Sequence, residues 1–343
     1  MKTLFSRGAL SVCALVLGAC GGGLSVRHLQ GGHLGNLSHR VLSVAVGPRG
    51  NVWVGTDNGL ARRNGSLVMV WWKSWEITAA TATAPNLGYF GVSLQTKAMA
   101  SGKMGQEARV YQAREKHGQI DELQLGQPFL GDRVMAVHVD AAGKVWAALR
   151  DRGVYMHDKE KDELVLVYGV AVLGAAPTSF AEAADGTLYI GTYGGGLHAA
   201  KSGKVVQTWT PQTSDLRGNG VVRSVAVHPT LGVFAATADK MPGEVKGGLP
   251  MSRGTGVSRL SGGKWLPITA APNQLGANDV QRIAVSSSGA VWFAHHGGTG
   301  TSILLPGGAW LQPNAASINA NDVSVQGSHG AVATQNGLTE VFH

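Results

Sequence analysis

The chain has 343 residues, of which 44% are apolar and only 15% charged, a balance that excludes extended disorder and a long solvated helical surface. Its 50 glycines follow no collagen period and fit a fold made largely of turns. The formal charge of +8 is spread along the chain, with Arg62-Arg63 the one adjacent basic pair, so no nucleic-acid partner is expected.

The first element is a processing signal. Lys2 and Arg7 form a basic start, and Gly8 to Ala19 form an apolar run too short to span a bilayer as a helix. Leu17-Gly18-Ala19-Cys20 resembles the lipobox of bacterial lipoproteins. That resemblance implies a signal peptide over 1–19, cleavage before Cys20, acylation of Cys20 (the palmitate-bearing position) and a short tether over 20–23. Gly21, in place of aspartate, favours the outer membrane, facing the periplasm. The acyl chains would make the lipid bilayer a partner without any transmembrane helix. Cys13 leaves with the signal, so the mature domain over 24–343 has no disulfide, cysteine–zinc site or cysteine nucleophile.

Beyond the tether, one pattern returns again and again. Its fullest copy joins an apolar strand from Val44 to the segment Trp53-Val54-Gly55-Thr56-Asp57-Asn58-Gly59-Leu60. Further copies run Val137–Trp146, Phe180–Leu197, Val225–Phe234 and Ile283–Trp292, with a worn one over Val323–Leu338. Each strong copy centres on an aromatic: Trp53, Trp146, Tyr189, Phe234 or Trp292. A period of roughly 40–45 residues with about four short strands per unit predicts an all-β propeller. In the first unit the strands are predicted at Val41–Val46 (a), Asn51–Thr56 (b), Gly59–Arg63 (c) and Leu67–Trp72 (d). A second element introduces strand a, as in Leu130-Gly131-Asp132-Arg133-Val134 and Asn278-Asp279-Val280, and its polar residue is expected to bond nearby backbone.

These units resemble the repeats of the two-component regulator propeller family, whose core reads tryptophan–x–glycine–threonine–x–x–glycine–leucine. Trp53 to Leu60 matches throughout; Tyr189-Ile190-Gly191-Thr192 with Gly196-Leu197 matches with one residue more. The resemblance implies a sensor-type binding scaffold rather than an activity.

Trp53 and Trp146 lie 93 positions apart, which makes room for a degenerate unit near 86–127, with Tyr89–Leu94 and Ala108–Ala113 as its strands a and b. The last unit supplies only three strands, and Leu24–Leu29 reads as the missing fourth. The prediction is therefore a seven-bladed β-propeller closed by pairing of the N- and C-terminal strands, which leaves no open sheet edge.

Ligands of propellers meet the face built from b–c and d–a loops. The b–c positions here are Asp57, Asn58, Arg150, Asp151, Arg152, Tyr193, a long insertion over Asp239–Gly256, His295, His296 and Gln335-Asn336. The first three loops' residues Asp57, Asn58, Arg150, Asp151, Arg152 and Tyr193, together with His295 and His296, are the candidate ligand-binding set. Adjacent histidines on an extended segment point to opposite faces, so one site would receive only one of them. Trp71-Trp72-Lys73-Ser74-Trp75 offers either a sugar-stacking platform or interblade packing. No catalytic set, metal-ligand spacing or cofactor motif is legible; the glycine strings Gly194–Gly196 and Gly297–Gly300 join strands and do not cradle phosphate.

The leading expectation is a non-enzymatic envelope lipoprotein that binds a small molecule, glycan or protein partner. A metal-assisted lyase or hydrolase is the second: streptogramin lyases are similar in strands, turns and blade aromatics and use a histidine at the propeller mouth. An assembly factor for outer-membrane proteins is the third.

Overall fold

A computed structural model describes residues 25–29, 40–64, 67–71, 75–96, 105–117, 119–241, 252–271, 274–298, 300–312 and 319–342. The signal segment, Cys20, Trp72 and most of the 239–256 insertion lie outside the described residues.

Seven antiparallel sheets form a ring, each with strands a to d running outward from a central channel. Blade 1 consists of Val41–Val46, Val52–Thr56, Gly59–Asn64 and Leu67–Trp71, within a residue or two of expectation. The inner strands of blades 3 to 7 are Val134–Val139, Pro177–Glu182, Val221–His228, Asp279–Val285 and Ala320–Gln326. Ser25–Leu29 pairs antiparallel with Gly337–Phe342, setting Ser25 opposite Phe342 and Leu29 opposite Leu338. This N-terminal strand completes the seventh sheet and closes the ring.

The second blade departs from its expected register. Its inner strand is Glu76–Ala84, so Tyr89–Leu94 belongs to strand b (Leu87–Thr96) and Ala108–Ala113 to strand c (Gly105–Lys116). Glu76–Ala84 is rich in alanine and threonine, which hides the apolar run that marks the other inner strands.

The repeated residues have distinct mechanical tasks. Alternation along strand b sends Val52 and Val54 toward blade 7, where they meet Ala331, Ala333 and Leu338, while Trp53 packs into blade 2 against Phe90 at a ring separation of 5.2 Å. Both faces are covered, which accounts for the unbroken apolar strands. The glycine of the motif sits where the next blade comes closest: a Cβ on Gly55 would lie 2.7 Å from Ile77, and one on Gly91 2.4 Å from Val134. The motif threonine closes the b–c turn, Thr56 Oγ1 donating to the Gly59 carbonyl at 3.0 Å and Thr334 Oγ1 to Gly337 at 2.7 Å.

Hydroxyls and one carboxylate stitch the inner strands together around the channel. Ser43 Oγ donates to the Ile77 carbonyl, Thr78 Oγ1 to Val134 and Thr178 Oγ1 to Val222. Asp322 closes the circle, accepting the amide of Val44 at 3.0 Å across the junction of blades 7 and 1. Among the described residues no helix is long and apolar enough to cross a membrane.

Candidate functional site at the channel mouth

The inner strands start, and strands b end, at the same end of the channel. That end carries a rim of polar side chains joined from blade to blade. Glu76 of blade 2 holds Arg133 of blade 3 at 2.6 Å. On the far side Arg223 of blade 5 holds Asp279 of blade 6 at 2.5 Å, and Asp279 lies 3.5 Å from His296 Nδ1. The other ring nitrogen of His296 meets Asn321 of blade 7 at 3.3 Å, and the Asn321 amide donates to the Val41 carbonyl of blade 1. A continuous chain of polar contacts therefore spans blades 5, 6, 7 and 1.

The flanks of the long insertion take part in this arrangement. They extend the b–c hairpin of blade 5, with Lys240 opposite Ser252, so the loop itself begins only after the strand. Arg223 donates to the Ser252 carbonyl, and Gly254 N–H donates to Asp279. Residues 242–251, which follow directly, are outside the described residues.

Beneath the rim, Arg282 crosses the channel, meeting Asp322 of blade 7 at 3.2 Å and the Thr178 carbonyl of blade 4 at 3.5 Å. Asp322 is buried, and loss of hydration raises its pKa against the opposing pull of Arg282. Arg282 and Asp322 are among the residues bounding a cavity of about 270 Å³ that all seven inner strands enclose.

The candidate residues read from the b–c positions fall into separate groups. Asp57 and Asn58 are exposed on the blade 1 turn, where Thr56 caps the Asn58 amide. Arg150 pairs with its neighbour Asp151, and Arg152 with the buried Asp132 at 3.4 Å, all within blade 3. Burial raises the Asp132 pKa, while amide hydrogen bonds from Arg133 and Asp151 oppose that rise. Tyr193 is buried at the junction of blades 4 and 5, with Lys240 Nζ 5.7 Å above its ring.

The two histidines diverge. His295 is fully buried, and its ring nitrogens meet the Gly297 carbonyl and Ser302 Oγ, each at 3.0 Å. It occupies the register position of Thr56 and performs the same turn-closing task; burial holds its pKa below the usual histidine range. His296 alone faces the rim. With Asp279 it offers two donor groups, and Asp279 already serves Arg223 and the Gly254 amide. Among the described residues, no three His, Cys, Asp or Glu side chains stand close enough to share a metal ion.

Sequence reasoning missed Glu76, Arg133, Arg223, Asp279 and Asn321 as site residues. Arg133 and Asp279 lie in the recurring element that introduces strand a, for which the sequence predicts backbone bonding. That bonding is present, since Asp132 accepts the Asp151 amide at 3.1 Å. The neighbouring side chains add the rim. Of the aromatic string, Trp71 packs on Trp53 and Trp75 on Tyr111, inside the interface of blades 1 and 2.

Fold and rim define a seven-bladed propeller with a polar mouth. No protein-family model matches the sequence, and no curated protein matches it. Solved structures do share the fold. Virginiamycin B lyase from Staphylococcus aureus superposes with a TM-score of 0.66 at 13% identity, covering 93% of this chain and 99% of the lyase. The extracellular domain of a putative hybrid two-component system from B. thetaiotaomicron gives 0.63 at 15% identity, over 92% of this chain and 40% of that one. YCF48, solved bound to a D1 peptide, gives 0.63 at 12% identity, over 96% and 99%. At these identities the likeness is one of fold.

Proposed function

We propose that this protein is a non-enzymatic, lipid-anchored envelope protein of the two-component regulator propeller type, and that its channel mouth binds a small molecule, glycan or protein partner. The observation that carries the reading is the Arg223–Asp279–His296–Asn321 chain. It holds both charge signs and an imidazole in fixed positions over three blades, with Asn321 tying the chain to a fourth, so a polar ligand would meet donors and acceptors that are already ordered. The fold is shared by the extracellular domain of a putative hybrid two-component system and by YCF48, solved bound to a D1 peptide, which is consistent with such use. Anchoring through Cys20 rests on the lipobox resemblance.

Thermal-shift screening of the purified protein against soluble glycans and metabolites, with pull-down from envelope extracts, tests the binding reading. A binder is expected to raise the melting temperature of the wild type and to lose that effect in Asp279→Asn and His296→Ala. Turnover by the purified protein that depends on His296 would replace binding with catalysis. Metabolic labelling with palmitate tests the anchor: label should enter the wild type and not Cys20→Ser.

A further inference from the structure

The opposite end of the ring carries a second recess, formed where the closing strand joins the first blade. It has a volume of about 540 Å³ and is bounded by Arg27, Arg49, Arg63, His329, Glu340 and Phe342, among others. Each arginine reaches it from a different segment: Arg27 from the N-terminal strand, Arg49 from the a–b turn of blade 1 and Arg63 from strand c of blade 1.

The charges do not cancel. Arg63 is buried and paired with Glu340, which is also buried and accepts a contact from His329 at 3.1 Å. Arg27 stands opposite Glu340 in the strand pairing but lies outside ion-pair distance of it, and Arg49 has no ion pair among the described residues. His329 is stacked on Phe342 at 4.4 Å and stays neutral at physiological pH. Three guanidinium groups thus face one carboxylate, leaving an excess of two positive charges in a recess with a partly apolar wall.

We propose that this recess binds a phosphate group. Guanidinium groups match phosphate oxygens in geometry as well as charge, and the double charge of a phosphate monoester, or the single charge of a diester, answers the excess. The phosphate could be free or part of a small soluble ester, or it could belong to a phospholipid headgroup. The second source rests on the anchor proposed above: the chain enters its strand at Ser25, beside Phe342, and the five-residue step from Cys20 spans at most about 17 Å.

The test uses His329 as a reporter, because burial first, and then the charges of Arg63 and Arg27, hold its proton affinity down. A bound phosphate would offset those charges. In the purified Cys20→Ser protein, with histidines isotopically labelled and His329→Gln used to assign the signal, inorganic phosphate or glycerol phosphate should raise the His329 titration midpoint saturably at constant ionic strength. The double variant R27Q/R49Q should weaken this binding at least tenfold while Arg63–Glu340 keeps the fold intact. Phosphatidylglycerol vesicles form the other arm, with phosphatidylcholine as control. Binding of the soluble esters alone assigns a free phosphate ligand; preferential sedimentation with phosphatidylglycerol that R27Q/R49Q removes assigns the headgroup. If the soluble phosphates leave the His329 midpoint unmoved and phosphatidylglycerol does not sediment the protein preferentially, or if R27Q/R49Q responds as the wild type does, the recess is not a phosphate site.

Discussion

The indole ring of Trp292 fills the space that a Cβ on Gly330 would need, its Cζ3 atom lying 2.3 Å from that position. Trp292 is the strand-b aromatic of blade 6, and Gly330 sits on strand b of blade 7. The worn seventh repeat is thus shaped by its neighbour. Both residues are buried, so the ring has no solvent side to turn toward. Gly330→Ala is expected to destabilise the fold by about 1–3 kcal/mol, the range for overpacking a tight core. Chemical denaturation would measure it, and wild-type stability in the variant would contradict the interlock.

His295 is expected to behave as a structural residue. Thr56, Thr192 and Thr334 close equivalent turns through a glycine carbonyl, as His295 does through Gly297. His295→Thr should therefore lose less stability than His295→Ala, which strands Ser302 and the turn carbonyl at a cost of about 1–3 kcal/mol. Equal losses in the two variants would argue against the shared role.

Stability should fall in mild acid. Burial, together with the charges of Arg63 and Arg27, lowers the His329 pKa to about 4. The unfolded chain takes up that proton near pH 6.5, so between these values it binds more protons than the folded chain does. The contribution is complete above about pH 6.5 and is lost as pH falls toward 4, roughly 3 kcal/mol in full. His198 and His295 are also held down by burial and act in the same direction. Asp322 acts oppositely: its raised pKa costs stability at neutral pH, and that cost fades as the carboxyl protonates. Denaturation in chloride buffers at pH 7 and 4.5 should show a drop that His329→Gln reduces; an unchanged drop would assign the acid sensitivity elsewhere.

Ring closure depends on five N-terminal residues. Deleting Ser25–Leu29 would leave Gly337–Phe342 with an unpaired edge and uncover the Val41, Ala333 and Leu338 cluster in which Leu29 packs. A lower melting temperature and concentration-dependent aggregation, read by light scattering, are the expected outcome. A truncated protein that stays monomeric with wild-type stability would show that the seam is dispensable.

Much of the architecture could be read before any coordinates. The strand-b aromatics, the Gly55-Thr56 pair and the apolar runs at Val41–Val46 and Val52–Thr56 are local statements about turns and packing, repeated often enough to count blades. The unpaired strand near Leu24–Leu29 followed from that count. Glu76–Ala84 escaped because its alanines and threonines carry no strong period, and its place is set by blades 1 and 3 on either side.

The mouth was harder to read, since its residues meet only after the ring closes. Arg223 and Asp279 are 56 positions apart, and Asn321 reaches Val41 across 280. Sequence alone established the blades that carry a full repeat, because such a blade is held mostly by hydrogen bonds between consecutive strands. Which side chains become neighbours around the channel was decided by the closed ring. The distances between blades depend on how seven sheets pack together, and no single repeat encodes that.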